Sequence, residues 1–180
     1  MRSITSVLPL TIIFLAPALA TFAAETPATF KVGEFTFKRP EKWEWVEVTS
    51  SMRKAQLKVA SADKKQNAEV IFFHFGQGGG GGVKANVDRW LGQFQEPKDK
   101  LKSKVEEVTV GKRKVTYVQA EGTYKSGMPG GPTTPQPNSS LLGAIIESDA
   151  GDVFARMTGP TALVKASTED FKKMVEGPLK

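Results

Sequence analysis

Between residues 30 and 60 the apolar positions come in short alternating bursts. Phe30 and Val32, then Phe35 and Phe37, flank Gly33-Glu34, which predicts a hairpin or bulged strand. Pro40 closes that unit. Trp43, Trp45, Val46 and Val48 predict a second strand, and Ala55 to Ala60 (AQLKVA) a third. Residues 61–67 (SADKKQN) have the composition of a turn.

The pattern then changes. Val70-Ile71-Phe72-Phe73-His74-Phe75 and Leu141-Leu142-Gly143-Ala144-Ile145-Ile146 are apolar without alternation. A strand with one wet face alternates, so these two are expected to be covered on both faces. Two amphipathic stretches supply covers. Val83, Val87, Trp90, Leu91 and Phe94 fall on one helical stripe, and Val164, Phe171, Met174 and Val175 on another. Pro160 suits a helix start and Gly177-Pro178 a stop, while Ser167 with Asp170 suits a restart, so the second helix is expected in two pieces.

Between the helices, Val105–Val110 and Lys114–Tyr124 predict a hairpin turning at Gly111-Lys112. Leu141–Ser148 and Val153–Thr158 predict another, turning at Asp149-Ala150-Gly151. Residues 126–140 hold four prolines and three glycines, which predicts an irregular loop outside the sheet. Hairpin connections imply pairing between neighbours. The expected class is therefore α+β: a mainly antiparallel β-sheet flanked by α-helices on both faces.

The first residues follow a different logic. Arg2 precedes an apolar run from Val7 to Leu19, Pro17 interrupts it, and Ala18-Leu19-Ala20 is a small-x-small cleavage pattern. The run is shorter than the ~20 apolar residues a spanning helix needs. The expectation is an exported chain: signal peptide 1–20, flexible tail 21–29, one domain 30–180, periplasmic or extracellular. Thr21-Phe22-Ala23 offers a second cleavage site. No transmembrane segment is expected once the leader is gone.

Composition removes several chemistries. Without cysteine there can be no disulfide, thiolate nucleophile or Cys-based metal site. The formal charge of +6, lowered by one with Arg2, permits weak attraction to anionic polymers. Lys98, Lys100, Lys102 and Lys104 recur at every second residue, which suits either such a contact or a solvated sheet edge guarded by lysines. The few interleaved aromatics carry no nucleic-acid signature.

Gly76-Gln77-Gly78-Gly79-Gly80-Gly81-Gly82 lies between a buried strand and a helix, where phosphate-binding turns sit. The Lys-Ser/Thr ending of such a loop is missing, because Val83-Lys84-Ala85 follows, so the run is read as a flexible loop. His74 is the sole histidine and has no metal-ligand spacing around it, so it is read as a hydrogen-bonded strand residue. Glu106 and Glu107 alternate across a strand and cannot pair in catalysis. Glu169 and Asp170 suit a helical first turn. No catalytic, metal or cofactor residue is assigned.

Several stretches resemble a known family when taken together. They are Ser51-Met52-Arg53-Lys54-Ala55-Gln56, FHFGQGGGG (73–81), Arg89-Trp90-Leu91-Gly92-Gln93-Phe94, GGPTTPQP (130–137), Leu141–Ile145 and Thr158-Gly159-Pro160. They resemble a family of exported bacterial proteins, common in planctomycete-like genomes and without an assigned activity. The pattern also resembles the fold of the photosystem extrinsic protein PsbP and the Ran-binding protein Mog1. That likeness implies an antiparallel sheet between helices and a role in binding proteins. The expected function is a non-enzymatic periplasmic binding or accessory module, with another envelope protein as partner. Its partner-contact loop is expected at Met128, Pro129, Pro132 and Pro135. Two alternatives stand beside it: a small hydrolase or transferase using His74 or loop carboxylates, and an electrostatic binder of anionic envelope polymer.

Overall fold

Nine strands and three short helices follow the hydrophobic pattern through residues 26–127 and 131–180, the parts of the chain described by the computed structural model. The segment read as a signal peptide lies outside them. β1 (Thr29–Val32) and β2 (Phe35–Lys38) form a hairpin through Gly33, whose φ of +58° favours glycine. Arg39 Nε donates to the Pro27 carbonyl at 2.8 Å, which ties the residues before β1 to those after β2.

The main sheet has seven strands, all antiparallel, in the order β3-β4-β5-β9-β8-β7-β6. β3 (Glu44–Trp45) is much shorter than the alternation at 43–48 suggested. β4 (Arg53–Ala60), β5 (Asn67–His74), β8 (Thr133–Ile146) and β9 (Val153–Pro160) make the middle. β7 (Arg113–Gly127) and β6 (Lys102–Val110) complete the far side.

Alternate residues of the central strands enter two separate apolar clusters. Phe72, Leu142, Ala144, Ala155 and Met157 pack with the β1–β2 phenylalanines and with Phe171, Met174 and Val175. Those last three lie on α3 (Thr168–Glu176), which follows α2 (Thr161–Ala166) after a break at Ser167. The second cluster joins Leu141, Ile145, Val118 and Phe154 to Trp90 of α1 (Gly82–Leu91) and to Phe94. Strand dominates over helix, so the sheet rather than a helical layer carries the fold. All six residues of the 141–146 run are buried, as their continuous apolarity implied. Gly143 is the small member because the Trp90 ring lies on it, so close that a Cβ there would sit 2.2 Å from Cζ3.

Two expectations need correction. The glycine run is not a loose linker. Gly76, Gly78, Gly80, Gly81 and Gly82 all take positive φ, and the buried Asn86 side chain donates to the carbonyls of Gly80 and Gly82, each at 2.7 Å. A succession of left-handed turns needs glycine, and the amide fixes their course. The second correction concerns residues 126–140. β7 continues to Gly127 and β8 begins at Thr133, with Ser126 opposite Thr134 and Lys125 opposite Pro135. On either side of residues 128–130, which lie outside the described residues, the chain runs as a paired two-stranded arm, not an irregular loop. Proline excludes pairing only where neighbours flank a strand on both sides, and β9 reaches β8 only from Ser139 onward. In the arm, β8, which carries the prolines, therefore has a free side, and a proline nitrogen turned to it costs no ladder bond.

Candidate functional site

An open cleft of about 1190 Å³ lies where the arm leaves the sheet. Its floor comes from β4 and β5 (Gln56, Lys58, Asn67, Glu69) and from Thr158 at the end of β9. One wall is the root of the arm: Tyr124, Ser126, Gln136, Pro137 and Asn138. The other is the entry to α2, with Pro160, Thr161 and Lys165. Amides and hydroxyls outnumber charges in this lining, and these groups both donate and accept hydrogen bonds.

The charges in the floor are already engaged. Arg53 Nη1 donates to Glu69 Oε1 at 3.0 Å and to Gln56 Oε1 at 2.7 Å, and Gln56 Nε2 donates to Glu69 Oε1 at 2.8 Å. Lys58 meets Glu44 at 3.0 Å. Cross-strand register explains this set, because Lys58 lies opposite both Glu44 on β3 and Glu69 on β5. The result is a fixed polar surface rather than a free nucleophile or base.

The arm is held at its root by a bulge. Register slips by one residue between Gly122 and Tyr124, and Asn138 takes φ of +53°, a conformation asparagine tolerates better than most residues. Both carboxylate oxygens of Glu96 accept from the Thr123 N–H, at 2.9 and 3.0 Å. That bond is the main reason the Glu96 carboxyl lies below its ordinary value. A Cβ at Gly122 would come within 2.5 Å of Glu96 Oε2, so a larger residue there would push the carboxylate off the Thr123 N–H. After α1 the chain pairs with the arm: Gln95 N–H donates to the Thr123 carbonyl, and Lys125 N–H to the Gln93 carbonyl. The Gln93 Oε1 accepts from Tyr124 OH at 3.1 Å and from Arg156 Nη1 at 2.9 Å, so one amide links helix end, arm and sheet.

A smaller recess of about 400 Å³ adjoins the cleft across Pro137, Asn138 and Thr161. Glu121 lies in it, clamped between Lys165 at 2.9 Å and Lys102 at 3.1 Å. The Lys165 hydrogen bond, with help from Lys102, holds the Glu121 carboxyl below its ordinary value.

Of the residues expected to touch a partner, Met128 and Pro129 lie outside the described residues. Pro132 and Pro135 are exposed on the arm, Pro135 within β8, and the neighbouring Gln136 and Pro137 line the cleft. His74 ends β5 at the opposite end from Asn67, roughly 20 Å along the strand at ~3.3 Å per residue. Its Nδ1 lies 3.3 Å from the Asp152 carbonyl oxygen, and its ring packs on the Gly33 turn. That is the hydrogen-bonded strand residue expected, and no carboxylate partner appears beside it among the described residues.

Glu106 and Glu107 face opposite ways on β6. Lys98, Lys102 and Lys104 pair with Asp88, Glu121 and Glu106. Among the described residues no cluster of three His, Asp or Glu could hold a metal ion, and no helix is long and apolar enough to cross a membrane. Sequence reasoning missed the cleft, because Gln56, Asn67, Tyr124, Gln136 and Thr158 belong to no motif and meet only through strand pairing.

No protein-family model matches the chain, and no curated protein matches it in sequence. In structure it is similar to the cyanobacterial PsbP (CyanoP) of Synechocystis sp. PCC 6803, with 9% identity and a TM-score of 0.49, over 87% of this chain and 95% of that one. It is also similar to a protein of unknown function from Pseudomonas aeruginosa, at 14% identity and TM-score 0.45, covering 82% and 92%. LpqN of Mycobacterium tuberculosis, described as involved in cell envelope biogenesis, gives 12% identity, TM-score 0.45 and coverage of 78% and 79%. These are likenesses in the general course of the chain. Residue roles come from this molecule's own geometry.

Proposed function

We propose that the protein is an exported, non-enzymatic binding module that holds a polar, extended segment of a partner in the cleft at the root of the β7–β8 arm. One observation carries this reading. The cleft floor and walls present neutral amide and hydroxyl groups from five strands, while the nearby charges are paired within the protein. Such a lining matches the alternating donors and acceptors of a peptide backbone and has little to offer a free ion. Pro132 and Pro135 lie along the same arm and extend the contact outward. Export is supported by Arg2, the Val7–Leu19 run and Ala18-Leu19-Ala20. The partner on this reading is another envelope protein. The architecture is assigned to the PsbP/Mog1-like α–β–α sandwich, supported by the antiparallel sheet and by the entry of α1 and α3 residues into separate apolar clusters.

Site-specific photo-crosslinking in the native host tests the reading. A photo-reactive residue at Gln136 or Ser126 should give a discrete adduct with one envelope protein. The same residue at Lys112, exposed in the β6–β7 turn at the opposite end of β7 from the arm, should not. The adduct should fade when Gln56 and Asn67 are both changed to alanine. Equal labelling from Lys112, or an adduct indifferent to the Gln56/Asn67 change, would refute the cleft as the contact.

A further inference from the structure

The two edges of the main sheet are built differently. β3 offers only two residues, and a short edge strand is a poor template for further pairing. β6 runs for nine residues, Lys102–Val110, in unbroken register with β7, without proline or bulge. Among the described residues no strand lies on its other side. All residues from Lys102 to Glu107 are exposed, and Val105 is 48% exposed, one of few large apolar side chains so placed. Lysine usually guards such an edge, but here lysines and glutamates alternate in blocks, so the guard depends on register.

A second copy of the chain is the natural test of that register. Closed dimers are two-fold symmetric, and here the axis would stand normal to the sheet. Residues opposite one another in an antiparallel pair must share a face, so the axis has to pass through a residue rather than between two. An axis at Lys104, Glu106 or Glu107 sets that charge against its own copy. An axis at Ser103 sets Lys102 against Lys104. An axis at Val105 sets Val105 against Val105, Lys104 against Glu106 on both sides, Ser103 against Glu107, and Lys102 against Val108. Opposite charges directly across a ladder favour pairing and like charges oppose it. Only the last of these registers satisfies every charge it brings together. Lys104 and Glu106 already meet at 2.8 Å within the strand, and the dimer would merge two such pairs into one interleaved group of four charges.

We propose that β6 is a self-association edge, at which two copies pair antiparallel about Val105 and join their seven-stranded sheets into one. The surface is distinct from the cleft, so this inference stands whether or not the cleft reading does.

Sedimentation velocity of the purified protein over a concentration series is the primary measurement. Wild type should show a concentration-dependent dimer. Lys104→Glu and Glu106→Lys should each give monomer, because each brings like charges together twice. The double variant Lys104→Glu/Glu106→Lys should restore the dimer. These positions are exposed, and unchanged circular dichroism confirms that each variant folds. Geometry is read separately by cysteine trapping, which is clean because the chain has no cysteine. Val105→Cys should cross-link to its own copy, since opposed Cα atoms lie ~4.5–5.5 Å apart, within disulfide reach. Ser103→Cys should not, since two copies of residue 103 would lie about 14 Å apart in this register. Monomer up to about 1 mM, where association would be worth no more than about 4 kcal/mol, overturns the proposal. A dimer untouched by either charge reversal, or equal cross-linking from residues 103 and 105, overturns it as well.

Discussion

Gly143→Ala is a change of one methyl group in the middle of the sheet, and its cost can be worked from the Trp90 ring above it. A Cβ at residue 143 would stand 2.2 Å from Cζ3, 2.5 Å from Cε3 and 3.1 Å from Cη2 of Trp90. Carbon atoms settle at about 3.5–4.0 Å, so the ring would have to retreat by more than an ångström. Trp90 is 4% exposed and packs in a cluster with Phe94, Leu141, Ile145 and Phe154, which leaves little room to move. Overpacking of this kind costs about 1–3 kcal/mol. Removing a strand glycine returns about 0.5–1 kcal/mol through the unfolded state. A net loss near 1 kcal/mol is expected, or a midpoint lower by roughly 2–4 °C for a domain of this size. Trp90→Leu alone should cost about 3 kcal/mol, because it leaves a hole. In the double variant the new methyl enters that hole, so the combined loss should fall short of the sum by at least about 1 kcal/mol. Urea unfolding followed by far-ultraviolet circular dichroism suits the cycle, since it does not use the tryptophan that is being removed. Wild-type stability in Gly143→Ala, or a strictly additive double variant, would show that ring and strand do not meet as described.

Asn86→Ala removes the buried amide that holds two carbonyls of the glycine run; a loss of about 1–3 kcal/mol is expected, with faster amide exchange across residues 76–83. Acid should act on Asp88, whose carboxyl is drawn down from 3.8 to about 2 by hydrogen bonds from Lys84 first and then Lys98. A depressed carboxyl contributes stability above its unfolded value, and that contribution fades as pH falls from about 4 through about 2. The difference in melting temperature between wild type and Asp88→Asn should therefore be present at pH 6 and narrow steadily below about pH 4. A difference that holds constant down to pH 2 would show that the Lys84–Asp88–Lys98 group does not form in solution.

Much of the sheet could be read from the chain because burial leaves a direct mark on it. The 141–146 run lacks polar residues since both of its faces are covered, and the stripe through Trp90 marks the side of α1 that does the covering. The break at Ser167 was legible too, although the Ser167 side chain makes no capping bond. The arm was not legible, because proline bars pairing only in a strand flanked on both sides, and sequence does not say where a neighbouring strand stops. The glycine run hides its order for a related reason. Its order comes from Asn86, a residue whose role is visible only once helix and turn are placed together. The cleft had no signature at all: its side chains are ordinary amides and hydroxyls scattered from Gln56 to Thr161, brought together by register alone.

The order of the strands has a kinetic consequence. β3, β4 and β5 are linked by sequence-adjacent pairings, as are β6, β7, β8 and β9, so each group can assemble as a local meander. A single ladder joins the two, where residues 69–74 of β5 meet residues 153–158 of β9. Closing it spans the whole stretch from α1 through β8, which makes it the slow, entropically expensive seam of the fold. The cleft lies across this seam, with Gln56 and Asn67 on one bank and Gln136 and Thr158 on the other. A molecule bound there would act as a stitch between the halves, raising stability by mass action.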